Sequence, residues 1–107
     1  MTPMQKSLEL LRAEGYTPFI VEYWDAFARR RKDLCGIGDI LALRENEVLI
    51  VQTTSHSNVW ARVRKITDHE NTPHIRKAGI RIEVHGWGKK REGRRYLWDL
   101  KRREDLS

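Results

Sequence analysis

Asp39 and the segment Gln52-Thr53-Thr54 are the residues of this sequence whose types and spacing suit metal chemistry. Asp39 begins one apolar run and Gln52 ends the next, with a charged turn at 44–47 between the runs. This pattern predicts a β-hairpin of mostly buried strands, which brings the two polar ends to the same edge of a sheet. Carboxylate, amide and backbone carbonyl oxygens are ligands of Mg²⁺, so the sequence predicts a Mg²⁺ or Mn²⁺ site formed by Asp39, Gln52 and the Thr53 carbonyl.

The elements that must hold this site are predicted from hydrophobic periodicity. Met4, Leu8 and Leu11 recur at helical spacing, as do Val59, Val63 and Ile66, with Ser57 available as the cap of the second helix. In chain order the predicted elements are a helix over 3–14, a strand over 18–24, a polar connection over 25–38, strands over 39–43 and 48–52, a helix from 58 to about 69, a short helix over 73–79, a strand from 80 to about 87 and a last strand over 96–100.

This order of elements predicts the fold class. A helix, three strands, a second helix and one or two further strands are typical of an α/β fold in which a mixed sheet is flanked by helices. With 107 residues the chain has the length of a single domain. The longest apolar runs are far shorter than the roughly 20 residues that cross a bilayer, so we expect a cytoplasmic protein.

The charge of the chain favours a polyanionic partner. There are 21 Lys and Arg residues against 15 Asp and Glu, which gives a formal net charge of +6. Between residues 76 and 103 there are eleven basic and three acidic residues. Nucleic acid is therefore the expected partner, with an affinity that falls steeply with salt. The predicted contacts are Arg29, Arg30, Arg31, Lys32, Asn58, Arg62, Lys89, Lys90 and Arg91.

The hairpin motif also resembles that of a known family. Gly38-Asp39-Ile40-Leu41-Ala42-Leu43, followed after a short turn by Leu49-Ile50-Val51-Gln52-Thr53-Thr54, resembles the motif of the PD-(D/E)xK nuclease superfamily. The small size and the helix after the motif are similar to archaeal-type and phage Holliday junction resolvases. The resemblance covers roughly residues 4 to 87. It implies a restriction-endonuclease-like core, a homodimer, and Mg²⁺-dependent cleavage of branched DNA in a bacterial or phage-infected cell.

The resemblance also implies roles for single residues. Asp39 matches the metal-binding aspartate, Gln52 takes the place of the second acidic residue, and Thr54 takes the place of the lysine that positions or activates the attacking water. Gly38 takes the place of the proline. Gln52 offers a neutral oxygen where the family has a charged one, and Thr54 supplies no cation.

Two further positions are needed for a complete site, and both have alternatives. Arg62 and Lys65 form, with Asn58, a polar stripe about 100° from the apolar stripe of the second helix, so either could replace the lysine by stabilising charge on the phosphate. The alternative is that they only face solvent. A second carboxylate could come from Asp33, which is favoured by its closeness to Asp39 along the chain, or from Glu9, Glu14 or Glu22. Asp33 could equally be a turn residue that bonds its own backbone.

Other functions fit the same residues. A protein that keeps the nuclease fold and binds DNA without cleaving it would have the substitutions at Gln52 and Thr54. A nuclease directed at RNA would have the same basic surface. Metal dependence and a panel of substrates separate these hypotheses.

Overall fold

The computed structural model describes residues 1–104. Its elements, in chain order, are α1 (Pro3–Ala13), β1 (Thr17–Ile20), β2 (Tyr23–Asp25), β3 (Arg30–Lys32), β4 (Ile40–Arg44), β5 (Glu47–Ser55), a 3₁₀ turn (His56–Asn58), α2 (Val59–Thr67), α3 (Thr72–Lys77), β6 (Arg81–Glu92) and β7 (Arg95–Glu104).

A mixed five-stranded sheet forms the centre of the molecule. The strands lie in the order β1-β4-β5-β6-β7, and β2 and β3 form a separate two-stranded sheet. The pairs β1–β4, β4–β5 and β6–β7 are antiparallel, whereas β5 and β6 are parallel. The parallel pair follows from the crossover through α2 and α3, because parallel neighbours need a long connection. The predicted α/β class, with a mixed sheet flanked by helices, is confirmed.

The two faces of the sheet carry separate hydrophobic cores. Alternate residues of a strand point to opposite faces, so β5 contributes Leu49 and Val51 to one core and Ile50 to the other. The first core packs under α1 and comprises Leu11, Tyr16, Ile40, Ala42, Leu49 and Val51. The second packs under α2 and α3 and comprises Ile37, Ile50, Val59, Ile66, Ile75, Ile82 and Val84. The site residues at the end of β5 therefore lie between two packed layers.

The helices form where the periodicity predicts them. The Thr2 side chain accepts a hydrogen bond from the Gln5 backbone while the Gln5 side chain binds the Thr2 backbone, so α1 begins with a capping box. Gly15, with φ of 90°, follows its last turn. The α2 stripe of Val59, Val63 and Ile66 packs on the core as expected. No helix within residues 1–104 is long and apolar enough to cross a membrane.

The bounds of α2 differ slightly from the prediction. The helix ends at Thr67 rather than near His69, and Asn58 rather than Ser57 occupies the N-cap position, without a side-chain cap bond. The residues before it form the 3₁₀ turn, which already turns the chain out of β5. The start of the helix is therefore shaped by that turn.

The predicted strand over 18–24 is wrong as a single element. β1 ends at Ile20, where its pairing with β4 ends, and β2 begins at Tyr23 and pairs with β3 instead. The expected polar connection over 25–38 accordingly contains the short strand β3. A two-stranded hairpin needs only backbone partners, so the basic side chains of β3 can remain exposed in it.

The prediction that the strand from residue 80 ends around Trp87 is also wrong. β6 continues to Glu92, and β7 extends over ten residues rather than the five predicted. Gly86 and Gly88 do not break the strand, because they allow close packing: an added Cβ would lie 2.0 Å from Val59 Cγ2 at Gly86 and 2.4 Å from His56 Nδ1 at Gly88. The glycines mark contact with the chain between β5 and α2.

Candidate functional site

Asp39 directly precedes β4 and lies beside β5. Its backbone N–H donates to the Val51 carbonyl at 2.9 Å, which extends the β4–β5 ladder by one step. Its carboxylate oxygen Oδ2 accepts the Thr53 N–H at 2.9 Å and the Thr53 hydroxyl at 3.3 Å. The preceding Gly38 is required by packing, since a Cβ there would lie 2.0 Å from Ile50 Cγ2. The hairpin thus brings Asp39 to the polar end of β5, as the spacing predicts.

Glu22 is the carboxylate in direct contact with Asp39. It lies between β1 and β2, where the neighbouring Val21 N–H donates to the Asp39 carbonyl at 2.9 Å. The Glu22 carboxyl is close enough to raise the pKa of Asp39. Arg31 Nη1 also contacts Glu22 Oε1 at 3.2 Å. Sequence proximity ranked Glu22 behind Asp33, and the signal for it was the pairing of β1 with β4.

The electrostatics of Asp39 reflect this crowding. Burial raises the pKa of Asp39 to about 6, the Thr53 N–H opposes the rise, and the Glu22 carboxyl adds to it. The side chain is only 7% exposed. Asp39 therefore holds a proton more readily than an ordinary aspartate.

Asp33 lies near the pair formed by Asp39 and Glu22. Burial and the nearby charge of Asp39 raise the pKa of Asp33, while the charge of Lys65 lowers it. The shifts show that Asp33 is within electrostatic reach of both groups. Lys65, from the polar stripe of α2, therefore lies on the same side of the molecule as the acidic residues.

Gln52 provides an unusual buried oxygen. The residue is 4% exposed, and its Oε1 atom has no hydrogen-bond partner among the residues that the structure describes. A buried carbonyl oxygen without a donor costs free energy, on the order of 1–3 kcal/mol. Thr54, two residues further on the same face, is also buried. Gln52 thus places in the interior an acceptor that lacks a donor within residues 1–104.

The acidic groups do not form a metal site by themselves. Among the described residues, no three His, Cys, Asp or Glu side chains are grouped so that they could hold a metal ion. A metal at Asp39 would therefore depend on neutral oxygens as well. Gln52 Oε1 is one, and the Thr53 carbonyl remains the predicted other.

The other predicted residues at α2, Asn58 and Arg62, have no described contact with the acidic residues. The Asn58 amide donates to Ser55 Oγ at 3.1 Å, which makes it a local bond at the helix entry. Arg62 is half-buried, and no ion pair of it is present within residues 1–104. Of the two cations predicted to replace the motif lysine, only Lys65 has a described interaction with the acidic residues.

The basic residues 29–32 border the acidic site. Arg31 contacts Glu22, and Lys32 Nζ contacts Asp25 Oδ2 at 2.9 Å. A cavity of about 250 Å³ opens beside them, lined by Arg30, Arg31, Lys32, Asp33 and Gly36. The exposed cationic side chains of this segment suit an anionic ligand.

Lys89, Lys90 and Arg91 lie on a separate projection. β5 pairs with β6 only as far as Ser55 and Trp87, whereas β6 and β7 continue to pair up to Glu92 and Arg95. The residues beyond position 88 therefore form a two-stranded ribbon that leaves the sheet. All three basic side chains are exposed on it. A cationic ribbon of this kind suits contact with a nucleic-acid backbone.

The helix-1 glutamates lie elsewhere. Glu9 pairs with Lys6 at 3.5 Å and is exposed. Glu14 accepts two hydrogen bonds from Arg102, at 2.6 and 2.8 Å, which hold the pKa of Glu14 below its usual range. Neither has a described contact with Asp39, so neither is placed at the site.

A buried series of hydrogen-bonded polar side chains lies under α1 and was not predicted from the sequence. The Ser7 hydroxyl contacts His85 Nδ1 at 2.9 Å and accepts the Trp87 indole N–H at 2.8 Å, and His85 Nε2 contacts Glu83 Oε1 at 2.9 Å. Ser7 and His85 are both 0% exposed, so this series joins α1 to β6 in the interior. Its signal was a serine within the apolar stripe of α1.

Comparisons of the chain with family models, with curated proteins and with solved structures found no match. Its function is therefore inferred from the chemistry of its own residues.

Proposed function

We propose that this chain is a Mg²⁺-dependent DNA endonuclease of the PD-(D/E)xK kind that acts on branched DNA such as Holliday junctions. One observation carries the proposal: the buried carboxyl of Asp39 lies beside that of Glu22, and the buried Gln52 Oε1 of the neighbouring strand has no donor within residues 1–104. Basic residues border the same place. Buried acids with a raised pKa beside cations are typical of functional sites.

The residues present fit a divalent cation. A cation would offset the charge of the Asp39 and Glu22 carboxylates, and it would give Gln52 Oε1 the partner that it lacks. Two carboxylates, an amide oxygen, a backbone carbonyl such as that of Thr53, and water make an oxygen set suited to Mg²⁺. When bound, Mg²⁺ would polarise the phosphate and lower the pKa of the attacking water.

The chain itself would supply the remaining charge. The ammonium group of Lys65 acts within reach of Asp33, and Arg62 lies one turn earlier on α2. Either would stabilise negative charge on the phosphate during transfer. Lys65 is the better choice for a role that also moves a proton, because arginine stays protonated.

The connectivity supports a restriction-endonuclease-like core. α1, β1, β4, β5, α2 and β6 follow in the order that the resemblance implies. The β2–β3 hairpin, α3 and the extended β7 are additions to that order. A homodimer, which would present two such sites to a junction, belongs to the same proposal and is tested by light scattering.

A cleavage panel tests the proposed chemistry. Linear, supercoiled, branched and single-stranded DNA, and RNA, are incubated with and without Mg²⁺ or Mn²⁺. We expect metal-dependent cleavage, strongest on branched DNA, that Asp39→Ala abolishes. Asp68→Ala, at an exposed aspartate beyond the end of α2, is the matched control and should retain activity. Equal cleavage by Asp39→Ala and wild type would contradict the proposal.

A second candidate is a DNA-binding protein that has lost the chemistry. It is favoured by the absence, within residues 1–104, of three acidic or histidine ligands in one group, together with Gln52 and Thr54 at the motif positions. This protein would bind DNA equally in Mn²⁺ and in a chelator, and Mn²⁺ would not raise its melting temperature. A stabilisation by Mn²⁺ that Asp39→Asn removes would exclude it. Cleavage of RNA alone in the same panel would instead favour a nuclease directed at RNA.

A further inference from the structure

The β2–β3 hairpin stands apart from the main sheet and arises at the acidic site. Its register pairs Tyr23 with Lys32 and Asp25 with Arg30, and neither strand joins the five-stranded sheet. Glu22, which contacts Asp39, comes directly before the hairpin, and Asp33 comes directly after it. Both ends of the hairpin are therefore attached beside Asp39, and its tip projects away from them.

The tip is held in one conformation by Asp25. Its Oδ1 atom accepts the backbone N–H groups of Phe27 and Ala28, each at 3.0 Å, and its Oδ2 atom contacts Lys32 Nζ at 2.9 Å. The Ala28 N–H and the Lys32 ammonium hold the pKa of Asp25 at about 2. Asp25 therefore remains a carboxylate throughout the neutral range, and the turn that presents Phe27 is ordered before any ligand binds.

This ordered tip presents aromatic rings to solvent. Phe27 is 101% exposed, Trp24 is 59% exposed and Tyr23 is 55% exposed. Phe19 and Ile20 of the edge strand β1 are exposed as well. Three aromatic side chains left in water on one short hairpin make it a candidate interaction site.

We infer that the β2–β3 hairpin recognises unpaired nucleic-acid bases, with Phe27 stacking on a base that has left the double helix. The inference rests on the proposed function and specifies its substrate class. Every base offers a π face to an aromatic ring, and its flanking phosphates suit the basic residues of the same hairpin. Arg29 and Arg30 are exposed, and the described part of the chain contains no ion pair of either.

The charge of the hairpin favours nucleic acid over a second copy of this chain. A symmetric contact through the tips would place residues 29–32 of one copy against the same residues of the other. Like charges that face each other across an interface oppose association. A nucleic acid with exposed bases has the opposite charge. Its bases also provide aromatic surfaces on which the exposed rings of the hairpin can stack.

Phe27 would stack on a base only where that base is unpaired. Branched DNA and DNA with a bulged base both offer such a base, whereas a fully paired duplex does not.

The experiment measures binding by the full-length protein in a chelator, so it needs no cleavage. Fluorescence anisotropy compares a duplex that has one bulged base with a fully paired duplex of equal length. We expect wild type to prefer the bulged duplex, and Phe27→Ala to bind it about tenfold more weakly while binding the paired duplex unchanged. Phe27→Trp should keep the preference. Leu43→Ala is the control, because Leu43 is an exposed apolar residue of β4 outside the hairpin and outside the cationic ribbon.

Three results would overturn the inference: wild type binds neither DNA, Phe27→Ala binds both as wild type does, or Phe27→Ala weakens both equally. A change from dimer to monomer in Phe27→Ala, measured by light scattering, would assign the ring to a second copy and overturn it too. A protein that shows the Phe27-dependent preference without cleaving DNA would contradict the proposed endonuclease alone. A protein that cleaves DNA but shows no such preference would contradict the role of the hairpin alone.

Discussion

Replacing Asp39 with asparagine should make the metal-free protein more stable at pH 8. The carboxyl of Asp39 is buried and contacts Glu22, and its pKa is raised to about 6. Above that pH Asp39 must be charged in its buried position beside Glu22, which is unfavourable. An asparagine oxygen can still accept the Thr53 N–H, which donates to Asp39 at 2.9 Å. The variant therefore removes the charge and keeps the bond.

The magnitude follows from the pKa. An ordinary aspartate has a pKa near 4, and a value of about 6 in the folded state corresponds to about 3 kcal/mol. Between these values the folded state binds more protons than the unfolded state, so the free energy of unfolding of wild type falls as the pH rises through this window. The loss is complete above pH 6. Asparagine does not titrate, so Asp39→Asn should match wild type near pH 4 and exceed it by up to about 3 kcal/mol at pH 8.

Urea unfolding of both proteins between pH 4 and pH 8, in a chelator, measures this difference. A gain of about 3 kcal/mol would raise the melting temperature by on the order of 10 °C in a domain of this size. Mn²⁺ at pH 8 should reverse the order, because it stabilises only the carboxylate form. Asp68→Asn is the control. A difference between Asp39→Asn and wild type that stays constant with pH, or a loss of stability at pH 8, would refute the reasoning.

Two further substitutions test the ligand set and the nucleic-acid surface. Gln52→Glu places an acidic residue at this motif position. The added charge should lower the melting temperature in a chelator above pH 6 and enlarge the rise in melting temperature caused by Mn²⁺. An unchanged melting temperature in both conditions would argue against Gln52 as a ligand. Joint replacement of Lys89, Lys90 and Arg91 by alanine should weaken DNA binding and reduce the slope of log affinity against log salt by up to about 2.7, at about 0.9 per lost phosphate contact on duplex DNA. An unchanged slope, measured by anisotropy over a salt series, would place the DNA contacts elsewhere.

The sequence by itself determined the features that depend on neighbours along the chain. The apolar stripes of α1 and α2 and the buried hairpin of β4 and β5 were readable from spacing, because helices and hairpins form from residues close in sequence. The same hairpin placed Asp39 beside Thr53, as the spacing predicted. The mixed sheet followed from the order of these elements.

The tertiary structure alone decided which distant residues meet at Asp39. The contact with Glu22 depends on the pairing of β1 with β4, and the separation of β2 from β1 depends on the partner that each strand finds. The length of β6 depends on β7 and on glycines that pack under His56 and Val59. Strand pairing and close packing join residues that are far apart in sequence, and no local sequence pattern predicts these contacts. The acidic pair, the exposed hairpin and the projecting ribbon are therefore properties of the folded chain.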